Sequence, residues 1–170
     1  MDSFVRLAKK ALEEYVNAGR ILNAETENLP EELLSRRAGA FVSLKEDGML
    51  RGCIGTIEPT RKTLAEEIIC NAISAGIYDP RFPKVRKAEL DRLCYSVDVL
   101  EKPEGIRSEE ELDPKLYGVI VTNGRRRGLL LPNLEGVDTV KEQIMISRQK
   151  AGIGPEEPVT LERFRVVRHL

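Results

Sequence analysis

Apolar positions along this chain follow two periods, and the switches between them mark out most of its elements. Residues 3–17 put Phe4, Ala8, Ala11, Leu12 and Tyr15 on a 3.6-residue stripe. That predicts a helix packed on a core, with Asp2 or Ser3 as cap and Gly19 just beyond its end. Residues 20–38 are less regular, and Leu29-Pro30 marks a break before a short charged stretch. Period two then takes over. Ala40, Val42 and Leu44 alternate with Phe41, Ser43 and Lys45, Asp47-Gly48 supplies a tight turn, and a returning strand runs from Met49 to about Ile57.

A second helix follows. Thr63 with Glu66 forms a capping box, Leu64, Ile68, Ala72 and Ala75 make the buried stripe, and Gly76 is the expected stop. Two prolines within Asp79-Pro80-Arg81-Phe82-Pro83 fix φ and remove donors, so this stretch is an ordered turn. Val85 to Leu93 reads as a short helix, and Tyr95, Val97 and Val99 as the buried side of a strand. Residues 103–114 read as loop and short helix, with Ser108 and Glu111 as a cap. Tyr117 to Thr122 and Arg127 to Leu131 form a second hairpin around Asn123-Gly124. A helix capped by Thr139 and Glu142 ends near Ala151-Gly152, and Phe164 to Arg168 is the last strand. Hairpins dominate, so the expected fold is α+β, with a mixed, largely antiparallel sheet flanked by helices. No linker interrupts residues 1–170, which read as one domain.

Composition narrows the classes of function. With 41% apolar and 32% charged residues the chain is a folded globule rather than a disordered segment. A net charge of −1 gives no global field toward nucleic acid or anionic lipid. No apolar run approaches the roughly 20 residues of a membrane span. The N-terminus reads as an amphipathic helix rather than a signal peptide, so the expected compartment is the cytoplasm. The three cysteines, Cys53, Cys70 and Cys94, lack metal or redox spacing and are read as reduced thiols. His169 is the only histidine, so no metal site is expected. No phosphate loop or dinucleotide fingerprint points to a cofactor.

The candidate chemistry lies in Leu50-Arg51-Gly52-Cys53-Ile54-Gly55. On a regular strand Arg51, Cys53 and Gly55 share one face. Glycine is costly inside a strand, so the pair around Cys53 calls for a bulge, a tight bend, or a close approach by a neighbour or ligand. Arg51 beside Cys53 favours a thiolate, and its planar fork equally suits a carboxylate or phosphate. Against this stands the commoner role of cysteine as a small buried hydrophobe, which is also the reading for Cys70 and Cys94. Asp79, Arg81 and Phe82 form a second candidate, a rigid turn that lines a site or simply caps itself. The run Arg125-Arg126-Arg127 on a hairpin tip suits phosphates, but without aromatic partners it reads as a solvated turn.

Several of these stretches together carry a resemblance. Gly39 to Leu44, Gly48, Leu50 to Gly55, Asp79 to Pro83, Tyr95 to Leu100, Tyr117 to Ile120 and Arg127 to Pro132 resemble the AMMECR-one domain family over nearly the whole chain. Leu134 to Val140 looks most like its prokaryotic branch, AmmeMemoRadiSam system protein A. The resemblance implies a larger and a smaller lobe with the Arg-Gly-Cys-Ile-Gly segment in a cleft. It also implies two partners, a radical S-adenosylmethionine enzyme and a MEMO-type protein. The branch it resembles lacks the tryptophan common in the family's C-terminal helical region, and this chain has none. Two functions are therefore expected. One is a Cys-dependent enzyme or enzyme component, with Cys53, Arg51 and Asp79 catalytic and Gly52, Gly55, Arg81 and Phe82 binding substrate. The other is a non-catalytic adaptor that recognises a peptide, a modified protein or a nucleic acid.

Overall fold

The predicted N-terminal stripe folds as helix α1 (Ser3–Ala18) in the computed structural model, which describes residues 1–170. Asp2 caps it by accepting from the Val5 N–H, and Gly19 closes it in the left-handed conformation, φ 66°. Short helix α2 (Glu31–Ser35) starts directly after Pro30. The hairpin is β1 (Ala40–Glu46) and β2 (Met49–Gly55), joined by Asp47 and Gly48, both with positive φ, 51° and 77°. Helix α3 (Leu64–Ile77) follows its Thr63 cap, and β3 (Leu93–Leu100) pairs antiparallel with β1.

The chain divides into two compact units. The first holds Met1–Leu100 and Val167–Leu170. Its sheet has the order β2-β1-β3-β8, the last strand being β8 (Val166–His169). Ala40, Val42 and Leu44 of β1 and Tyr95, Val97 and Val99 of β3 join α1 and α3 in one core. The second unit, Glu101–Val166, holds β4 (Glu104–Ile106), β5 (Gly118–Asn123), β6 (Arg126–Leu130), helix α4 (Val140–Ala151) and β7 (Thr160–Phe164). Its sheet has the order β4-β7-β5-β6, and Val119, Val121, Ile144 and Ile153 share its core.

The architecture is the expected α+β, built on two antiparallel sheets rather than one. Two strands escape the period-two reading. β4 lies inside the stretch read as loop, and β7 precedes the expected last strand, which is interrupted at Arg165. Thr160-Leu161-Glu162-Arg163 shows no apolar alternation, although β7 sits between two strands. The Val85–Leu93 helix is a 3₁₀ turn over Lys87–Arg92. Gly76 does not stop α3. An added Cβ there would lie 2.5 Å from Leu12 Cδ1, so this glycine admits α1 against α3. No helix is long and apolar enough to cross a membrane.

Helix α3 is locked to the hairpin by polar groups as well as apolar ones. The Glu67 carboxylate, 1% exposed, accepts from Thr56 Oγ1 (2.7 Å), Thr60 Oγ1 (2.8 Å) and the Thr60 and Arg61 N–H groups (3.0 and 2.9 Å). Asn71 donates to the Ala40 carbonyl at 2.8 Å. These bonds satisfy buried groups that would each cost about 1–3 kcal/mol unpaired. Gly52 marks the closest approach, because its Cβ would fall 2.1 Å from the Ala75 carbonyl oxygen, a backbone atom that cannot step aside. Gly52→Ala is therefore expected to destabilise the protein by about 3 kcal/mol or more. Gly105→Ala, where a Cβ meets nothing within 4 Å, is expected to stay within about 1 kcal/mol. Urea unfolding of the two variants measures the difference.

Candidate active site

Strand β2 is the edge of the first sheet, so one side of its backbone has no partner strand. At Cys53 the Asp79–Arg81 turn fills that side. The Cys53 N–H donates to Asp79 Oδ2 at 2.9 Å, and Arg81 Nη2 donates to the Cys53 carbonyl at 3.2 Å. Arg81 also grips Asp79 through Nε to Oδ1 (3.1 Å) and Nη2 to Oδ2 (2.8 Å). The Arg81 N–H completes the turn on Oδ1 at 3.1 Å. Phe82 lies against the guanidinium, 5.4 Å from ring centroid to Cζ. The predicted companionship of the Cys53 segment and the Asp79 turn is thus a set of direct bonds.

The Asp79 side chain is 2% exposed and that of Arg81 51%. Burial alone raises a carboxyl pKa. Here the Arg81 fork, the Cys53 and Arg81 N–H groups and the Arg81 charge outweigh it and bring Asp79 down to about 2. A carboxylate so held is a poor proton acceptor at neutral pH.

Ser43 stands directly opposite Cys53 on β1, and its hydroxyl donates to the Cys53 sulfur at 3.2 Å. Cys53 is half-buried. This alignment depends on a bulge. The pairs Glu46↔Met49 and Lys45↔Leu50 are followed by Leu44↔Gly52 and Ser43↔Cys53, which leaves Arg51 as an extra residue in β2. A regular hairpin from the same turn would set Ser43 against Gly52.

The bulge corrects one expectation. Gly52 shares the side of Leu44, which faces the helices, and Arg51 leaves the Cys53 face with it. Its guanidinium pairs with Glu89 in the 3₁₀ turn, Nε to Oε1 at 2.9 Å and Nη2 to Oε2 at 3.3 Å. Burial raises the Glu89 pKa, and this pair with the Arg86 N–H reverses the shift to a net lowering. The Arg51 Nη1 is buried without a partner. The cation beside Cys53 is Arg81.

The two glycines also have packing reasons. Gly52 admits the Ala75 carbonyl, and an added Cβ at Gly55 would lie 2.2 Å from Phe41 Cγ, its cross-strand neighbour. The second sheet repeats the device, with Phe164 across Gly118 of β5. Cys70 is half-buried and its thiol pKa is pushed up by burial. Cys94 is exposed on β3, so it is not the packing residue expected. Its side of the strand, opposite Lys45, is the polar one. Arg126 pairs with Glu157 and Arg127 with Glu162, and both pairs are partly solvated. No group of three or more His, Cys, Asp or Glu side chains gathers to hold a metal ion.

Sequence reasoning missed Ser43 and Glu89. Counting back from Asp47-Gly48 reaches Ser43, but only the bulge places it on Cys53. Glu89 had one local signal, its position to accept from the Arg86 N–H at 2.7 Å.

A protein of two antiparallel sheets, with a cysteine clamped on the edge of one, is the class defined here. The chain belongs to the AMMECR1 family, whose model matches residues 5–169. A Thermotoga maritima protein is 54% identical over 98% of this chain and 96% of its own length. A Clostridium acetobutylicum protein is 53% identical over 99% of this chain, which spans only 36% of that protein. The crystal structure of an uncharacterized protein from Pyrococcus horikoshii, 34% identical, superposes with a TM-score of 0.89 over 97% of this chain and 88% of that one.

Asp79→Asn is expected to cost about 1–3 kcal/mol, because the half-exposed Arg81 recovers water when its partner goes. The pH dependence has a definite sign. The folded pKa of Asp79, about 2, lies below the ordinary 3.8. Its contribution is therefore complete above about pH 4 and is lost as pH falls through 2. Unfolding free energies between pH 2 and 5 are expected to slope less steeply in Asp79→Asn than in the parent.

Proposed function

We propose that Cys53 is a reactive thiol, and that the chain is a cytoplasmic Cys-dependent enzyme or enzyme component. The observation that carries this reading is the clamp. A buried carboxylate and an arginine hold the N–H and C=O of a single residue, and they leave its half-buried thiol beside a cation. Cationic, partly exposed surroundings favour thiolate over thiol. As a nucleophile the thiolate forms a bond to an electrophilic carbon while that carbon's π-electron pair moves onto its heteroatom. As a sulfur carrier it takes the outer sulfur of a donor persulfide and releases the donor's thiolate, and in both cases the thiol proton leaves to solvent. Asp79 acts by holding Cys53 and Arg81 in place. Gly52 and Gly55 serve the site through packing, and Arg51 through its pair with Glu89. A radical S-adenosylmethionine enzyme and a MEMO-type protein are the proposed partners, on the resemblance to the prokaryotic branch.

One observation favours a second reading. Arg81 Nη1 carries no protein hydrogen bond, its side chain is half-exposed, and Phe82 lies against it. That pair suits an adaptor gripping a carboxylate or phosphate on a peptide, a modified protein or a nucleic acid. Alkylation separates the two. Iodoacetamide at neutral pH, followed peptide by peptide, is expected to label Cys53 at least about tenfold faster than N-acetylcysteine measured alongside. A rate no greater than that of the simple thiol removes the nucleophilic role. Cys53→Ser is expected to abolish function in cells while the fold survives. Retained function points to the adaptor.

A further inference from the structure

We infer that Ser43 is the positioning residue that favours the ionised Cys53 sulfur beyond what the neighbouring Arg81 cation and Asp79 carboxylate set, an assignment that rests on the thiol reading above. The Ser43 hydroxyl has one hydrogen-bond partner, the sulfur at 3.2 Å, and it is the donor. An O–H donor stabilises a thiolate more than a thiol, because a full negative charge accepts more strongly than a weakly polar S–H. The geometry is imposed by the backbone. Ser43 and Cys53 are directly opposed in the β1–β2 ladder, so the hydroxyl is carried to the sulfur by strand pairing rather than by a flexible side chain.

Ser96 provides an internal control. It sits opposite Ser43 on β3, in the same row across the sheet, and is also half-buried. It makes no hydrogen bond to the sulfur. Removing its hydroxyl changes the polarity of that face without touching Cys53. The structure therefore distinguishes a specific donor from a generally polar surface.

The experiment is the pH profile of iodoacetamide labelling at Cys53, read by peptide mass spectrometry on the full chain. Ser43→Ala is expected to move the midpoint up by about one pH unit. Below the midpoint the rate falls by only about three- to fourfold, because a more basic thiolate is a better nucleophile and offsets part of the lost ionisation. Ser96→Ala is expected to leave the profile unchanged. Ser43→Thr and Ser43→Val provide a second comparison, since they share a shape and differ in the hydroxyl. Thr is expected to keep the parental midpoint and Val to match Ala.

Equal midpoints for Thr and Val, or a Ser96→Ala shift as large as that of Ser43→Ala, overturn the assignment. The two readings fail separately. A wild-type rate no faster than N-acetylcysteine sinks the reactive-thiol reading, whatever the Ser43 variants do. A fast wild-type Cys53 with a midpoint unmoved by Ser43→Ala and Ser43→Val sinks the Ser43 assignment alone.

Discussion

A single extra residue in β2 governs how this site is built. The tight turn at Asp47-Gly48 fixes where the hairpin begins, and the unpaired Arg51 shifts everything beyond it by one position. That shift brings Ser43 opposite Cys53, turns Gly52 toward α3 and sends Arg51 away from the thiol to Glu89. Strand register is an all-or-none variable, since one residue of slip exchanges the two faces. The bulge is therefore a structural choice that decides which side chains meet the sulfur, without any of them being on the same element.

The surroundings of the bulge explain why it persists. Gly52 lets α3 press its Ala75 carbonyl onto the strand, and the buried Glu67 and Asn71 tie the same helix to the open end of the hairpin, at Thr56 and Ala40. On the open edge, Asp79 and Arg81 take the place of a missing strand at Cys53. The backbone at residue 53 is thus fixed from both sides. A thiol held on so rigid a support keeps one geometry toward its neighbours, which is what a reactive group needs and what a surface cysteine on a loose edge lacks.

Much of this is legible in the chain itself, for reasons that differ between elements. The stripes of α1 and α3 and the Thr63 and Thr139 caps are local signals, readable within one or two turns. The hairpin is readable because Asp47-Gly48 is a strong turn. β4 is hidden because a three-residue edge strand is too short to show a period, and β7 because an inner strand with Glu162 and Arg163 shows no apolar alternation and is stabilised by pairing on both sides. The Cys53 segment stands out through its glycines, yet their reasons, a helix carbonyl and a phenyl ring, come from elsewhere in the fold. Asp79 beside Cys53 is legible as two unusual motifs. The exchange of Arg51 for Arg81 as the nearby cation is not, since the glycines are compatible with a bulge but do not tell which residue it leaves unpaired.

The central claim is that folding activates the Cys53 thiol despite half burying it. The most direct measurement compares iodoacetamide labelling of Cys53 at pH 7 in the native chain and in the same chain unfolded in urea, with the exposed Cys94 followed in the same samples. Burial by itself slows a thiol on folding. The account predicts the opposite for Cys53, faster labelling in the native state than in the unfolded one, with Cys94 nearly unchanged. Slower labelling of native Cys53 would contradict it and leave the clamped cysteine as a structural part of an edge strand.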